Sequence, residues 1–253
     1  MMTERESAER SAADIRLEPL GDSAAVVRFG ETIDPLVHRR VIGLAERLAH
    51  SPVPGMTDVV PAFASLTVHY DPIALHARHG TAVREAGGSF GYVSRCLAEL
   101  IQAGGHAAVA QARIVDIPVC YGAELGPDLG EVAAHSALTE EEVIAIHAAG
   151  DYTVYMIGFA PGFPYLGGLS PRIATPRQAT PRLAIPAGSV AIGGGQTGVY
   201  PLATPGGWRI IGRTPIRLFR PEEPIPSFLR AGDRVRFRPI TRKEYDRYEE
   251  GAT

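Results

Sequence analysis

Gly193, Gly195 and Gly198 stand in the spacing G-x-G-x-x-G, directly after the strand-like run Ser189-Val190-Ala191-Ile192. In a dinucleotide site this spacing lets backbone approach a pyrophosphate, and the third glycine opens a helix whose N-terminal amides meet the charge. Here Val199-Tyr200-Pro201-Leu202-Ala203-Thr204-Pro205 follows, and the two prolines exclude that helix. No G-x-x-x-x-G-K-[ST] occurs, which excludes a P-loop. The loop Gly193-Gly194-Gly195-Gln196-Thr197-Gly198 is left with two roles. It packs closely on its own domain, or its amides form an anion-binding nest to which Gln196 and Thr197 add polar contacts.

Tyr155, Phe159, Phe163, Tyr165, Tyr200 and Trp208 fall in the same region. They are candidates to line a groove, since aromatic side chains anchor ligand pockets and interfaces; the competing role is ordinary core. No G-x-S-x-G elbow, no H-E-x-x-H and no carboxylate pair of usable spacing is present, so no catalytic residue is assigned. Ser170 and Ser189 lie in turn sequences with no histidine partner implied. Asp151 is expected to end the preceding helix, and His147 to be structural. His69, His76 and His79 have no carboxylate or cysteine beside them at ligand spacing, so no metal site is assigned. Arg234, Arg236 and Arg238 alternate with Val235 and Phe237, as on the solvated face of an edge strand.

The elements that position these residues divide in two. Residues 1–13 are polar and charged and read as a disordered lead-in. From Asp14 the order is a strand in AAVVRF, a helix from Asp34-Pro35 to Pro52, strands at 58–63 and 66–70, a helix at 89–103, and a strand in ARIVDIPV. Segment 71–88 stays open between a short helix and a loop. This βαββαβ order predicts a ferredoxin-like α/β domain over 14–119. Tyr121 to His135 is rich in glycine and acid and marks the boundary. Thr139-Glu140-Glu141-Glu142 is a capping-box signature that opens a helix ended by Gly150.

A β-rich domain over 120–242 follows, then a C-terminal tail, 243–253. Strands are expected at Tyr152–Ile157, Leu183–Ile185, Ser189–Ile192, Trp208–Ile211, Ile216–Phe219 and Arg234–Pro239. Twelve of the 21 prolines lie between Pro161 and Pro226, so the region is built of short strands and specified turns, a barrel or sandwich. The overall class is α+β. A net charge of -3 gives no case for nucleic-acid binding. No apolar run is long enough for a membrane span and no signal core is present, so the chain is expected in the cytoplasm. Cys96 and Cys120 support neither a disulfide framework nor a zinc site.

Three segments carry a more specific signal: IGFAPGFPYLGGL (157–169), PAGSVAIGGGQTGVYP (186–201) and TPGGWRIIGRTP (204–215). Together they closely resemble the KipI-like family, also described as allophanate hydrolase subunit 1 and as the carboxyltransferase domain, subdomain C/D. The resemblance covers residues 14–242. It implies a small α/β domain followed by a cyclophilin-like β-barrel. It implies a non-autonomous component like the B subunit of bacterial ATP-dependent 5-oxoprolinase, which pairs with a second cyclophilin-like C subunit and with an A subunit. The complex opens 5-oxoproline, a small acid, to glutamate, and ATP is implied for the assembly with its binding chain unassigned. The resemblance also implies two alternative readings from relatives: an inhibitor that takes a sensor histidine kinase as its partner, and a carboxyltransferase-type subunit related to urea amidolyase and allophanate hydrolase. No metal or biotin attachment is indicated in this chain, and no amidase signature. The groove is implied along Gly158–Gly168 and Gly193–Pro201.

Overall fold

A computed structural model of the chain describes residues 15–103 and 112–251. The protein divides into two compact units at the 111/112 boundary. That lies ahead of the boundary expected after residue 119, and one strand accounts for the difference.

The first unit contains β1 (Arg16–Pro19), β2 (Ala24–Arg28), α1 (Pro35–His50), β3 (Met56–Pro61), β4 (Ser65–Tyr70), α2 (Pro72–Glu85) and α3 (Ser89–Gln102). Asp34 starts α1 by accepting from the Leu36 and Val37 amides at 2.7 and 3.1 Å, with Pro35 at the first helical position. Asp71-Pro72 repeats the device for α2, so most of segment 71–88 is helical. The strands form one antiparallel sheet in the order β1-β2-β4-β3. Leu66, Val68 and Tyr70 of β4 pack with Val41, Leu44 and Leu48 of α1 and with Val93 and Leu97 of α3.

The ferredoxin-like order required residues 112–119 as the last strand of this sheet. They are not in it. The fourth strand is β1, which precedes the rest, and residues 114–121 belong to the second unit. Ile117-Pro118-Val119-Cys120 is buried without interruption, a pattern that needs cover on both faces rather than a half-exposed antiparallel sheet.

The second unit contains β5 (Ile114–Tyr121), α4 (Leu129–Ser136), α5 (Glu140–Ala149), β6 (Tyr152–Ile157), β7 (Pro164–Gly167), β8 (Arg182–Ile185), β9 (Ser189–Gly193), β10 (Gln196–Val199), β11 (Thr204–Gly206), β12 (Arg209–Arg213), β13 (Arg234–Pro239) and α6 (Arg242–Gly251). Seven strands close into a barrel in the order β10-β7-β6-β13-β5-β12-β9, and β8 and β11 make a separate ribbon. Thr139 and Glu142 form the capping box that opens α5. Helix α4 occupies the expected boundary segment, and α6 the expected tail. Ile216–Phe219 forms no named strand and makes one isolated bridge, Phe219 to Ser227.

β13 is a correction to the edge-strand expectation. It lies parallel to β5 and antiparallel to β6, and a closed barrel leaves it no free edge. Arg234 is paired with Asp151, and Arg238 with Asp116 at 3.0 Å. Ile117, Tyr152, Val154, Leu166, Val190, Ile192, Val199, Ile211 and Phe237 make the main core with Leu129, Val132 and Val143 of α4 and α5. Each such side chain contributes about 1.5–3 kcal/mol on burial. Among the described residues, no helix is long and apolar enough to cross a membrane.

Candidate functional site: an aromatic and arginine face of the barrel

Alternation along β9 and β10 decides which residues can meet a ligand. Val190, Ile192 and Val199 enter the main core, while Ala191 and Tyr200 join a second apolar cluster with Phe163, Ile185, Trp208 and Ile210, against which Tyr165 packs. Phe163 is the centre of this cluster. Its ring lies 5.2 to 5.7 Å from those of Phe159, Tyr165, Tyr200 and Trp208, each time edge to face, the arrangement that aromatic quadrupoles favour. Tyr155 is buried against Gly167 of β7.

The glycine spacing now has a physical account. A Cβ at Gly193 would lie 2.6 Å from the Trp208 indole, and one at Gly198 would lie 3.1 Å from that indole and from the Phe163 ring. The first and third glycines are therefore where two rings rest directly on strand backbone. Gly194 and Gly195 form the two-residue turn of the β9–β10 hairpin, with Gly194 at φ +64°. The Gly194 amide donates to the Thr175 carbonyl at 2.8 Å, and its own carbonyl accepts from the Thr175 amide at 3.2 Å. Gly193 and Gly198 thus take the close-packing role, and the Gly194 amide is committed within the fold. Gln196 is half-buried opposite Gly193. Thr197 is fully buried and turned to the main core, away from the rings.

Two further features belong to this face. Phe159 is 66% exposed and holds φ +69°, a left-handed conformation rare for a bulky side chain and costly unless its surroundings impose it. Arg177 places its guanidinium 5.7 Å from the centre of the Trp208 ring, a cation–π contact. Its neighbour Arg182 makes a two-pronged bond to Asp128 at 2.8 and 2.6 Å. Asp128 is only 2% exposed and also accepts from the Gln178 side chain at 3.1 Å and the Ile210 amide at 2.7 Å. The Gln178 amide donates to the Gly207 carbonyl at 2.7 Å. One buried carboxylate thus anchors the loop that carries Arg177 to the barrel wall. Burial raises the Tyr200 hydroxyl above its ordinary pKa, against the opposing pull of Trp208 backbone, Arg177 and Arg182. Sequence reading missed Arg177, Arg182 and Asp128. A signal was present for the arginines: Thr-Pro-Arg occurs twice, at 175–177 and 180–182.

On the opposite side of β10 lies a buried polar chain. Tyr121 Oη is 2.8 Å from His147 Nδ1, and His147 Nε2 is 2.9 Å from Thr197 Oγ1, which donates to the Ala191 carbonyl at 3.0 Å. Since the Thr197 proton is used there, Thr197 accepts from His147 Nε2–H, and Nδ1 accepts from Tyr121. His147 stacks on Phe237 with ring centres 4.5 Å apart, and desolvation lowers its pKa from 6.5 to about 3. A neutral imidazole satisfied on both nitrogens is a structural group.

The carboxyltransferase domain family, subdomain C and D, matches residues 15–229. The chain belongs to this family. Its relatives there include the 5-oxoprolinase B subunit of Bacillus subtilis, 50% identical over 93% of this chain and 97% of that protein. The 5-oxoprolinase B subunit of Escherichia coli O157:H7 is 41% identical over 87% and 94%. Among solved structures, TTHA0988 superposes with a TM-score of 0.71 at 39% identity over 86% of this chain; the chain spans 40% of its length. PH0987 of Pyrococcus horikoshii superposes with a TM-score of 0.52 at 42% identity over 91% of this chain and 100% of that one. The urea amidolyase of Kluyveromyces lactis shares the fold at 19% identity with a TM-score of 0.66. The family segments 157–169, 186–201 and 204–215 are the ones that build the aromatic face.

Proposed function

We propose that the chain is the B subunit of an ATP-dependent 5-oxoprolinase, a complex that opens the lactam of 5-oxoproline to glutamate. The observation that carries this reading is the 50% identity with the Bacillus subtilis protein across nearly the full length of both chains. In this reading the barrel is cyclophilin-like. It pairs with a second cyclophilin-like protein, the C subunit, and with an A subunit, in the cytoplasm. That TTHA0988 carries a matching segment within a chain more than twice as long supports a domain that works beside further polypeptide. ATP serves the assembly, and no residue of this chain is assigned to it.

The aromatic face is the part of this chain we assign to the small acidic substrate. Arg177, held against Trp208 and paired with no carboxylate among the described residues, is the group to meet the substrate carboxylate. Phe159, Phe163, Tyr165 and Tyr200 exclude water beside it. The reading is tested by reconstituting the three subunits and following ATP-dependent glutamate release. Full activity in the absence of this chain sinks it.

A further inference from the structure

A second polar feature of the barrel unit shares no residue with the aromatic face. A recess of about 330 Å3 is lined by Arg113, Arg220, Glu223, Ile225, Ser227 and Arg230, with the Phe228 ring in its wall. Two of its arginines, Arg113 and Arg220, are held in place. Asp233, 5% exposed, accepts from Arg113 through both oxygens at 3.0 and 2.5 Å and from the Arg230 amide at 2.8 Å. Arg113 also donates to the Phe228 carbonyl at 2.7 Å. The Arg220 guanidinium sits 4.9 Å from the centre of the Phe228 ring, and its Nε donates to the Arg217 carbonyl at 3.2 Å.

The charge tally is uneven. Asp233 neutralises Arg113, and Glu222 pairs with Arg217 at 2.8 Å. Among the described residues, neither Arg220 nor Arg230 pairs with a carboxylate, and Glu223 pairs with no cation. Arg220, Arg230, Glu223 and Ser227 thus line one small recess. A guanidinium binds a carboxylate through two parallel hydrogen bonds. Two of them ask for two carboxylates, and Glu223 asks for one ammonium. A simple inorganic anion would satisfy the arginines and leave Glu223 facing like charge.

We propose that this recess is a binding site for a small dicarboxylic amino acid: its carboxylates meet Arg220 and Arg230, and its ammonium meets Glu223. The test uses the purified full-length chain without partners or ATP, so a negative result leaves the proposed function standing. L-Glutamate, glutarate and inorganic phosphate are the probes, titrated by calorimetry and by NMR. The expected result is saturable binding of glutamate, tighter than glutarate and much tighter than phosphate. Arg220→Gln and Arg230→Gln should each weaken glutamate about tenfold or more, and Glu223→Gln should erase the preference for glutamate over glutarate. Arg230 is exposed, so its variant keeps the test alive where loss of the Arg220 stack on Phe228 disturbs folding. No saturable binding of glutamate overturns the proposal. So does phosphate or glutarate binding as well as glutamate to the unaltered chain, or unchanged binding in a folded Arg230→Gln variant.

Discussion

Replacing Gly193 by alanine isolates the packing on which the aromatic face depends. The backbone at Gly193 is not in the left-handed region, so the substitution adds a methyl group and no φ strain. That methyl would stand 2.6 Å from the Trp208 indole at Cδ2 and Cε2, and 2.7 Å from it at Cδ1. Carbon atoms settle at about 3.5–4.0 Å, so the indole must retreat by about 1 Å. It cannot do so freely, because Phe163 stands 5.7 Å away, edge to face, and Arg177 lies over the ring. Overpacking of this kind costs about 1–3 kcal/mol. Gly195→Ala is the matched control, since a Cβ there meets nothing within 4 Å and its φ is not positive. It should be neutral, or slightly stabilising through the unfolded state. Trp208 is the chain's single tryptophan and is 5% exposed, so its emission reports directly on the site. Gly193→Ala should shift that emission to the red, raise acrylamide quenching and lower the urea midpoint, with Gly195→Ala unchanged in all three. Equal behaviour of the two variants, or unaltered emission in Gly193→Ala, would refute the assignment of this glycine to the indole.

Three further outcomes are expected. His147 has a folded pKa of about 3 against 6.5 unfolded, so below pH 6.5 the unfolded chain binds a proton that the folded chain does not. Its contribution is therefore intact above about pH 6.5 and is lost as pH falls toward 3, by at most about 1.4 kcal/mol per pH unit; urea titrations between pH 4 and 6 should show a shallower slope for His147→Gln, and parallel slopes would exclude this source. Asp128→Ala strands Arg182 and the Ile210 amide. Because Arg182 keeps 30% side-chain exposure, the cost should be about 2 kcal/mol rather than that of a wholly buried pair, read from thermal or urea unfolding. Arg177→Gln, exposed and outside the core, should raise KM for 5-oxoproline about tenfold in the assembled complex while lowering stability by no more than about 1 kcal/mol, the worth of its contact with Trp208; an unchanged KM removes Arg177 from substrate binding.

Much of the local structure was legible because its causes are local. Asp34-Pro35 and Thr139 to Glu142 satisfy free helix amides within three residues of themselves, so these helix starts were readable without the fold. Strands β7, β10 and β11 were not readable. They are three or four residues long, rich in glycine and proline, and exist because neighbours in the barrel or ribbon pair with them. Arg177, Arg182 and Asp128 escaped for a related reason. The carboxylate that organises the loop lies 54 residues from its arginine, and no spacing rule spans such a gap.

By itself the sequence determined where helices begin, that the region after Tyr152 is built of turns and short strands, and that the glycine spacing could not serve a dinucleotide. Its three family segments also specified the family. Tertiary structure alone decided that Ile114–Tyr121 joins the barrel and not the first sheet, because its parallel partner β13 lies more than a hundred residues away. It alone decided what the glycines are for. A glycine is required wherever something approaches the backbone, but whether that something is a phosphate or an indole depends on which side chain the fold delivers. Here β12 and the turn before it bring Trp208 across Gly193 and Gly198, and the space is filled from within.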